Sequence, residues 1–216
     1  MALVDDNYFN VRLTHDPKRI DVWKAISEYL QSNIIHKNCQ SILELGCGYG
    51  DFINTINVEN KIAVDIADMS EYLNDNVSFY KKSVSELSEF DNNSVDCVFA
   101  SNLLEHLERD ECIKLCSEAY RILKPNGQIL LLQPNFRLCY KRYFDDYTHK
   151  TIFTDESLKG MLMSQNFKIQ YLKAGFLPFS MKNSLLPKSY FLTKLFLTLG
   201  SPLFGAQMLI AGEKNV

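Results

Sequence analysis

Apolar residues recur along this chain with two alternating periods. Ile20, Trp23, Ile26, Leu30 and Ile34 share one helical face, and Asp16-Pro17 ahead of them supplies an N-cap and a first helical residue, so a helix is predicted over roughly 17–35. Ser41–Leu45 is a short apolar run ending at glycines, which reads as a buried strand. Phe52, Ile53 and Ile56 then begin a helix after the glycine turn. Lys61–Asp65, Val77–Tyr80 and Ser94–Ala100 read as the second, third and fourth strands. Cys112, Ile113, Cys116, Ala119, Tyr120 and Leu123 mark the next helix, closed by Lys124-Pro125-Asn126-Gly127 as a turn. Ile129–Gln133 is a fifth strand, followed by a helix near 155–164 and strands near 167–173 and 207–212. Strands alternating with helical patterns predict an α/β fold whose mainly parallel sheet is covered on both faces.

The stretch 174–206 breaks this rhythm. It is rich in Phe, Leu, Pro and Ser, and it predicts an inserted lobe or lid before the last strand of a single domain spanning 1–216. Residues 1–38 form a helical cap in this reading, with Tyr8-Phe9 either folding over a ligand or acting as a hydrophobic staple. From Ser157 to Gly212 there are six lysines and no acidic residue, so the lobe suits core, a homodimer interface or peripheral contact with an anionic membrane.

Bulk properties narrow the function classes. A length of 216 residues with 46% hydrophobic and 23% charged positions fits one globular domain. A net charge of −3 gives no dominant attraction to nucleic acid. The N-terminus lacks a signal-peptide pattern, and no apolar run is long enough to span a bilayer. The six cysteines form no paired CxxC clusters, and Cys112 and Cys116 sit inside a helical apolar pattern as buried thiols. The expectation is a cytoplasmic protein without a metal site.

The segment Leu43-Glu44-Leu45-Gly46-Cys47-Gly48-Tyr49-Gly50-Asp51 carries the most chemistry. A strand followed by closely spaced glycines brings backbone close to a ligand. A dinucleotide fingerprint would place glycine at position 51, where Asp51 would repel a pyrophosphate. No Gly-Lys-Ser/Thr follows for a phosphate loop. The ligand should therefore be a nucleoside without phosphates that carries positive charge, and S-adenosylmethionine meets both conditions. Asp65, at the end of the second strand, is placed to accept ribose hydroxyls, and Ile66 to pack on an adenine face.

With these residues in view the sequence resembles the class I S-adenosylmethionine-dependent methyltransferases. The match comprises E-L-G-C-G-Y-G-D-F, the A-V-D of the second strand, D-C-V-F-A-S-N-L-L-E-H-L (96–107) and R-I-L-K-P-N-G (121–127). The resemblance implies a seven-stranded Rossmann-like sheet of order 3-2-1-4-5-7-6 with the last strand antiparallel. It implies that the Gly46 and Gly48 backbone contacts the methionine moiety, that Asp65 holds the ribose, and that Ser83-Val84 borders the adenine, with Glu44 and Cys47 also among the cofactor-binding residues. Many relatives carry Asp where Ser83 stands, which here leaves the adenine amino group to backbone or water. Ser101 follows the fourth strand, where the family's methyl group lies. The second half also resembles a bacterial subgroup associated with cell-surface glycan and secondary-metabolite clusters.

The acceptor side is read from two loops beyond strand ends, Ser101–Leu107 and Asn135–His149. A hydroxyl acceptor needs a base, whereas an amine does not. His149 is the first candidate base, with His106 as the other and Asp145 and Asp146 as orienting acids. Asn135, Arg137, Tyr143 and Tyr147 are candidate substrate contacts. The expected activity is O-methylation of a small-molecule or glycan-type acceptor, with S-adenosylhomocysteine as by-product. N-methylation of an amino sugar and a non-catalytic cofactor-binding regulator are the alternatives.

Overall fold

The computed structural model describes residues 14–178, 188–199 and 205–215. The first helix, Arg19–Asn33 (α1), precedes four strands: Ser41–Leu45 (β1), Asn60–Asp65 (β2), Val77–Lys81 (β3) and Val95–Ser101 (β4). Arg109–Ile122 (α2), Leu123–Pro134 (β5), the short Phe136–Cys139 (α3) and Asp155–Ser164 (α4) follow. Phe167–Leu177 (β6), Tyr190–Leu199 (α5) and Gln207–Lys214 (β7) complete the chain. One seven-stranded sheet results, in the order β3-β2-β1-β4-β5-β7-β6. Pairing is parallel from β3 through β5, and β7 runs antiparallel to both of its neighbours.

Each central strand contributes to two cores, because side chains alternate between faces. Leu43, Val98, Ala100, Ile129, Leu131 and Ile210 pack on one face with Leu115, Cys116 and Ala119 of α2 and with Leu158 and Leu162 of α4. Ile42, Ala63, Phe99, Leu130 and Leu209 pack on the other with Val22, Trp23, Ile26 and Leu30 of α1. Buried Cys112, Leu115, Cys116, Ala119 and Ile122 form the inner stripe of α2, so the two cysteines are core thiols, as their spacing predicts. A reciprocal capping box of Glu108 and Glu111 starts that helix.

Two local predictions are corrected. Residues 51–55 form successive turns rather than a helix. The Ile53 N–H donates to Glu44 Oε2 at 3.0 Å instead of to a helical carbonyl, and Thr55 Oγ1 bonds back to the carbonyls of Asp51 and Phe52. The Lys124–Gly127 segment is not a turn outside the sheet, since β5 starts directly after α2. Pairing jumps from Val95↔Leu123 to Cys97↔Gln128, and Asn126 takes φ 63°, so the extra residues form a bulge.

Within 174–206, the described part holds the end of β6 and α5, which packs beside α1 through Leu197. Its lysines meet acids from the other end of the chain: Lys188 pairs with Asp16, and Lys194 with Glu28 at 3.3 Å. The suggestion that Tyr8-Phe9 closes over the ligand lies outside the described residues. No described helix is long and apolar enough to cross a membrane.

Candidate active site

The strand order reverses between β1 and β4, and a cavity of about 230 Å³ opens at the carboxyl ends of these strands. The turn after β1 supplies one wall. Gly46 and Gly48 take φ 69° and 49°, a left-handed conformation that a side chain would strain. A Cβ on Gly46 would also approach Leu103 Cδ1 to 2.9 Å. Asp65, at the tip of β2, braces the turn by accepting the Gly48 N–H at Oδ2 (2.9 Å) and the Ala67 N–H at Oδ1 (3.0 Å). Ile66 is exposed beside it.

The electrostatics of this wall favour a cationic ligand. Glu44 is fully enclosed, and burial pushes its carboxyl well above the usual carboxylate range. Burial also raises Asp65, against the opposing backbone hydrogen bonds, and raises Asp51 despite the Arg19 guanidinium 2.6 Å away. Such carboxylates gain most from a positively charged ligand, and the ammonium and sulfonium of S-adenosylmethionine fit them. The exposed apolar Ile66 fits the adenine.

All nine residues expected around the cofactor line the cavity: Glu44, Gly46, Cys47, Gly48, Asp65, Ile66, Ser83, Val84 and Ser101. The opposite wall consists of Leu103, His106, Leu107, Glu111 and Lys150. Of the four expected acid–base residues, only His106 reaches the lining. His106 Nδ1 lies 2.9 Å from Thr148 Oγ1, whose hydroxyl donates to Asp146 Oδ1 at 2.6 Å. Asp146 thus acts on His106 through a buried threonine. His149 packs edge-on against His106, with ring centroids 5.0 Å apart, and Asp145 is an exposed partner of Arg142 at 3.5 Å.

The substrate-contact expectation is corrected at two positions. Asn135 is buried; it caps α3 by accepting the Arg137 N–H and donates to Asp155 and the Ala174 carbonyl. Tyr143 is buried and donates to the Thr151 carbonyl at 2.5 Å. Arg137 pairs with Asp155 at 3.3 Å, and Tyr147 is exposed; neither lines the cavity. The sequence reading missed Arg19, Glu111 and Lys150. Only Glu111 carried a local signal, its capping-box spacing from Glu108, and that signal points to helix structure rather than to a site.

Comparison with known proteins agrees with this architecture. Residues 43–131 match the family model described as a methyltransferase domain. No curated protein sequence gives a significant match. Among solved structures, a SAM-dependent methyltransferase from Archaeoglobus fulgidus is 22% identical, with a TM-score of 0.67 over 97% of this chain and 100% of the other. An S-adenosylmethionine-dependent methyltransferase from Mesorhizobium loti is 13% identical, with a TM-score of 0.65 over 88% and 97%. A Thermotoga maritima protein described as a possible histamine N-methyltransferase is 18% identical, with a TM-score of 0.64 over 97% and 94%. At these identities the solved structures establish the fold, which with its switch-point cavity is that of the class I methyltransferases. The matched methyltransferase domain lies across that cavity, so residues 43–131 carry a methyltransferase domain whose site fits S-adenosylmethionine.

Proposed function

We propose that the enzyme methylates a hydroxyl oxygen of a small-molecule or glycan-type acceptor. The observation that carries this reading is His106 on the cavity wall, backed through Thr148 by Asp146. Because the Thr148 hydroxyl donates to Asp146, its oxygen accepts from His106 Nδ1–H, and the imidazole carries its lone pair on Nε2. Burial holds the His106 pKa down to about 4, so the ring is neutral at physiological pH and able to receive a hydroxyl proton. An amine acceptor would not need such a group.

When bound, S-adenosylmethionine supplies an electrophilic methyl carbon on a sulfonium and leaves as S-adenosylhomocysteine. Around it, the Gly46–Gly48 backbone would hold the methionine end, Asp65 the ribose, Ile66 and Ser83-Val84 the adenine. Glu44, held protonated by burial in the empty site, would ionise against the bound cation, and Ser101 would border the methyl. Glu111 and Lys150 offer an acceptor and a donor to sugar-type hydroxyls at the opposite wall. The near-neutral charge supports a small acceptor over nucleic acid, and six free thiols support a reducing compartment such as the cytoplasm.

The test is transfer from methyl-labelled S-adenosylmethionine to matched hydroxyl and amino acceptors, including sugars and amino sugars. Label on oxygen, with turnover lost in His106→Ala while cofactor affinity persists, is the expected result. Label found only on nitrogen, or undiminished turnover in that variant, rules the reading out.

A further inference from the structure

Glu105, His106 and His149 converge beside the cavity from the one-turn helix Leu104–His106 and from the loop after α3. Each offers one ligand atom, and these atoms all lie within 4.8 Å of one another. Two further observations point to a ligand there. Glu105 is only 2% exposed, and its Oε2 finds no hydrogen-bond partner among the described residues. A buried carboxyl oxygen left in this way costs roughly 1–3 kcal/mol, unless something electropositive meets it. His106 is also already oriented from behind: Thr148 and Asp146 hold its Nδ1 side, the outer-shell arrangement that fixes a ligating imidazole.

The frame that brings the three residues together is tied by backbone. The Glu105 carbonyl accepts from Lys150 N–H at 2.7 Å and Thr151 N–H at 3.2 Å, and Thr151 Oγ1 donates to the Leu107 carbonyl at 2.7 Å. These bonds hold His149 next to the Leu104–His106 turn.

We propose that Glu105, His106 and His149 bind a divalent transition-metal cation, with its remaining coordination positions turned toward the acceptor side of the cavity. Two imidazoles and one carboxylate form a donor set used at catalytic zinc sites and at mononuclear iron(II) sites. The imidazoles disfavour magnesium and calcium, which prefer all-oxygen surroundings. On a tetrahedral zinc ion the donor atoms stand roughly 3.4 Å apart, so occupancy requires the three side chains to close in slightly. This inference deepens the hydroxyl-acceptor reading and rests on it only for the ion's use. With the cation in place His106 would hold the ion instead of acting as base. The ion would lower the pKa of an acceptor hydroxyl bound to it, so that water can take the proton. The acceptor stays a hydroxyl, and only the group that activates it changes. The sequence reading expected no metal site because it sought ligands at close spacing, whereas these are joined by tertiary structure.

Calorimetric titration of metal-stripped full-length protein with Zn²⁺, Co²⁺ and, separately, Mg²⁺ tests the proposal without any acceptor. The expected result is one site for Zn²⁺ and Co²⁺, a visible Co²⁺ spectrum of low-symmetry coordination, and much weaker binding of Mg²⁺. Glu105→Gln, close in shape to the native side chain, and His149→Asn should each weaken Zn²⁺ and Co²⁺ binding by more than about tenfold, with cooperative unfolding and S-adenosylmethionine binding retained. No stoichiometric Zn²⁺ or Co²⁺ binding, or binding that survives both substitutions, overturns the proposal. In the latter case the thiols hold the metal. O-methylation that persists in the stripped, non-binding protein also overturns it while leaving His106 as the base, so the two readings fail separately.

Discussion

Glu44 to Asp51 lie within eight consecutive residues and form much of one half of the cavity, whereas the other half draws Leu103, His106, Glu111 and Lys150 from three separate segments. The first half is mainly backbone: left-handed glycines, strand ends, and carboxylates gripped by N–H groups. The second half is side chains, and its shape depends on how the loop after α3 is tied to the turn after β4. On the proposed function the difference separates two tasks. A cofactor of constant structure can be met by a local motif, while an acceptor is met by residues that can change without disturbing the sheet.

That contrast can be broken at several points. The largest expected effect is on the shared floor, where Phe52 stacks on Phe99 with centroids 3.8 Å apart and both are buried. Phe52→Ala should destabilise the protein by about 3–5 kcal/mol, read by denaturant unfolding, because the rigid sheet cannot collapse around the lost ring.

Next comes the cofactor half. Asp65→Asn should weaken S-adenosylmethionine binding by roughly 1.5–3 kcal/mol in calorimetry, the value of a hydrogen bond to a charged group. The same change puts an NH2 group against the Gly48 or Ala67 N–H, so the ligand-free fold should lose roughly 1–3 kcal/mol, with the smallest loss at high pH. Burial raises the Asp65 pKa above its unfolded value of 3.8, so its contribution to stability is complete below that pH. That contribution declines as pH rises through the folded pKa, and the amide removes the decline. On acidification, wild-type cofactor affinity should fall at higher pH than an ordinary aspartate would dictate. A fall only near pH 3.8 would show that Asp65 does not contact the ligand.

Effects on the acceptor half should be smaller and separable. Lys150→Ala and Glu111→Gln should raise the acceptor KM several-fold, corresponding to about 1 kcal/mol for a partly exposed contact, without altering cofactor affinity. A matching loss of cofactor affinity would merge the two halves into one. Smallest of all, Asp145→Asn should change stability by less than about 0.5 kcal/mol and leave turnover unaltered, because Asp145 is exposed and outside the lining.

The sequence by itself determined the strand count, the glycine turn and the residues that line its side of the cavity, since each of these is local, while the strand order followed from the family resemblance. Short apolar runs mark buried strands, glycine tolerates a left-handed turn, and an acid at a strand tip needs no distant partner to be recognised. It did not determine what followed the turn, because Glu44 withdraws the Ile53 N–H from a helical ladder across sequence distance. Nor could it sort the Asn135–His149 loop, where the densest run of polar side chains proved largely structural in Asn135 and Tyr143. Only the tertiary structure set His106 at the wall, put Asp146 behind it, and gathered Glu105 and His149 beside it. The reason is physical: those side chains acquire their chemistry from burial and from partners more than forty residues away.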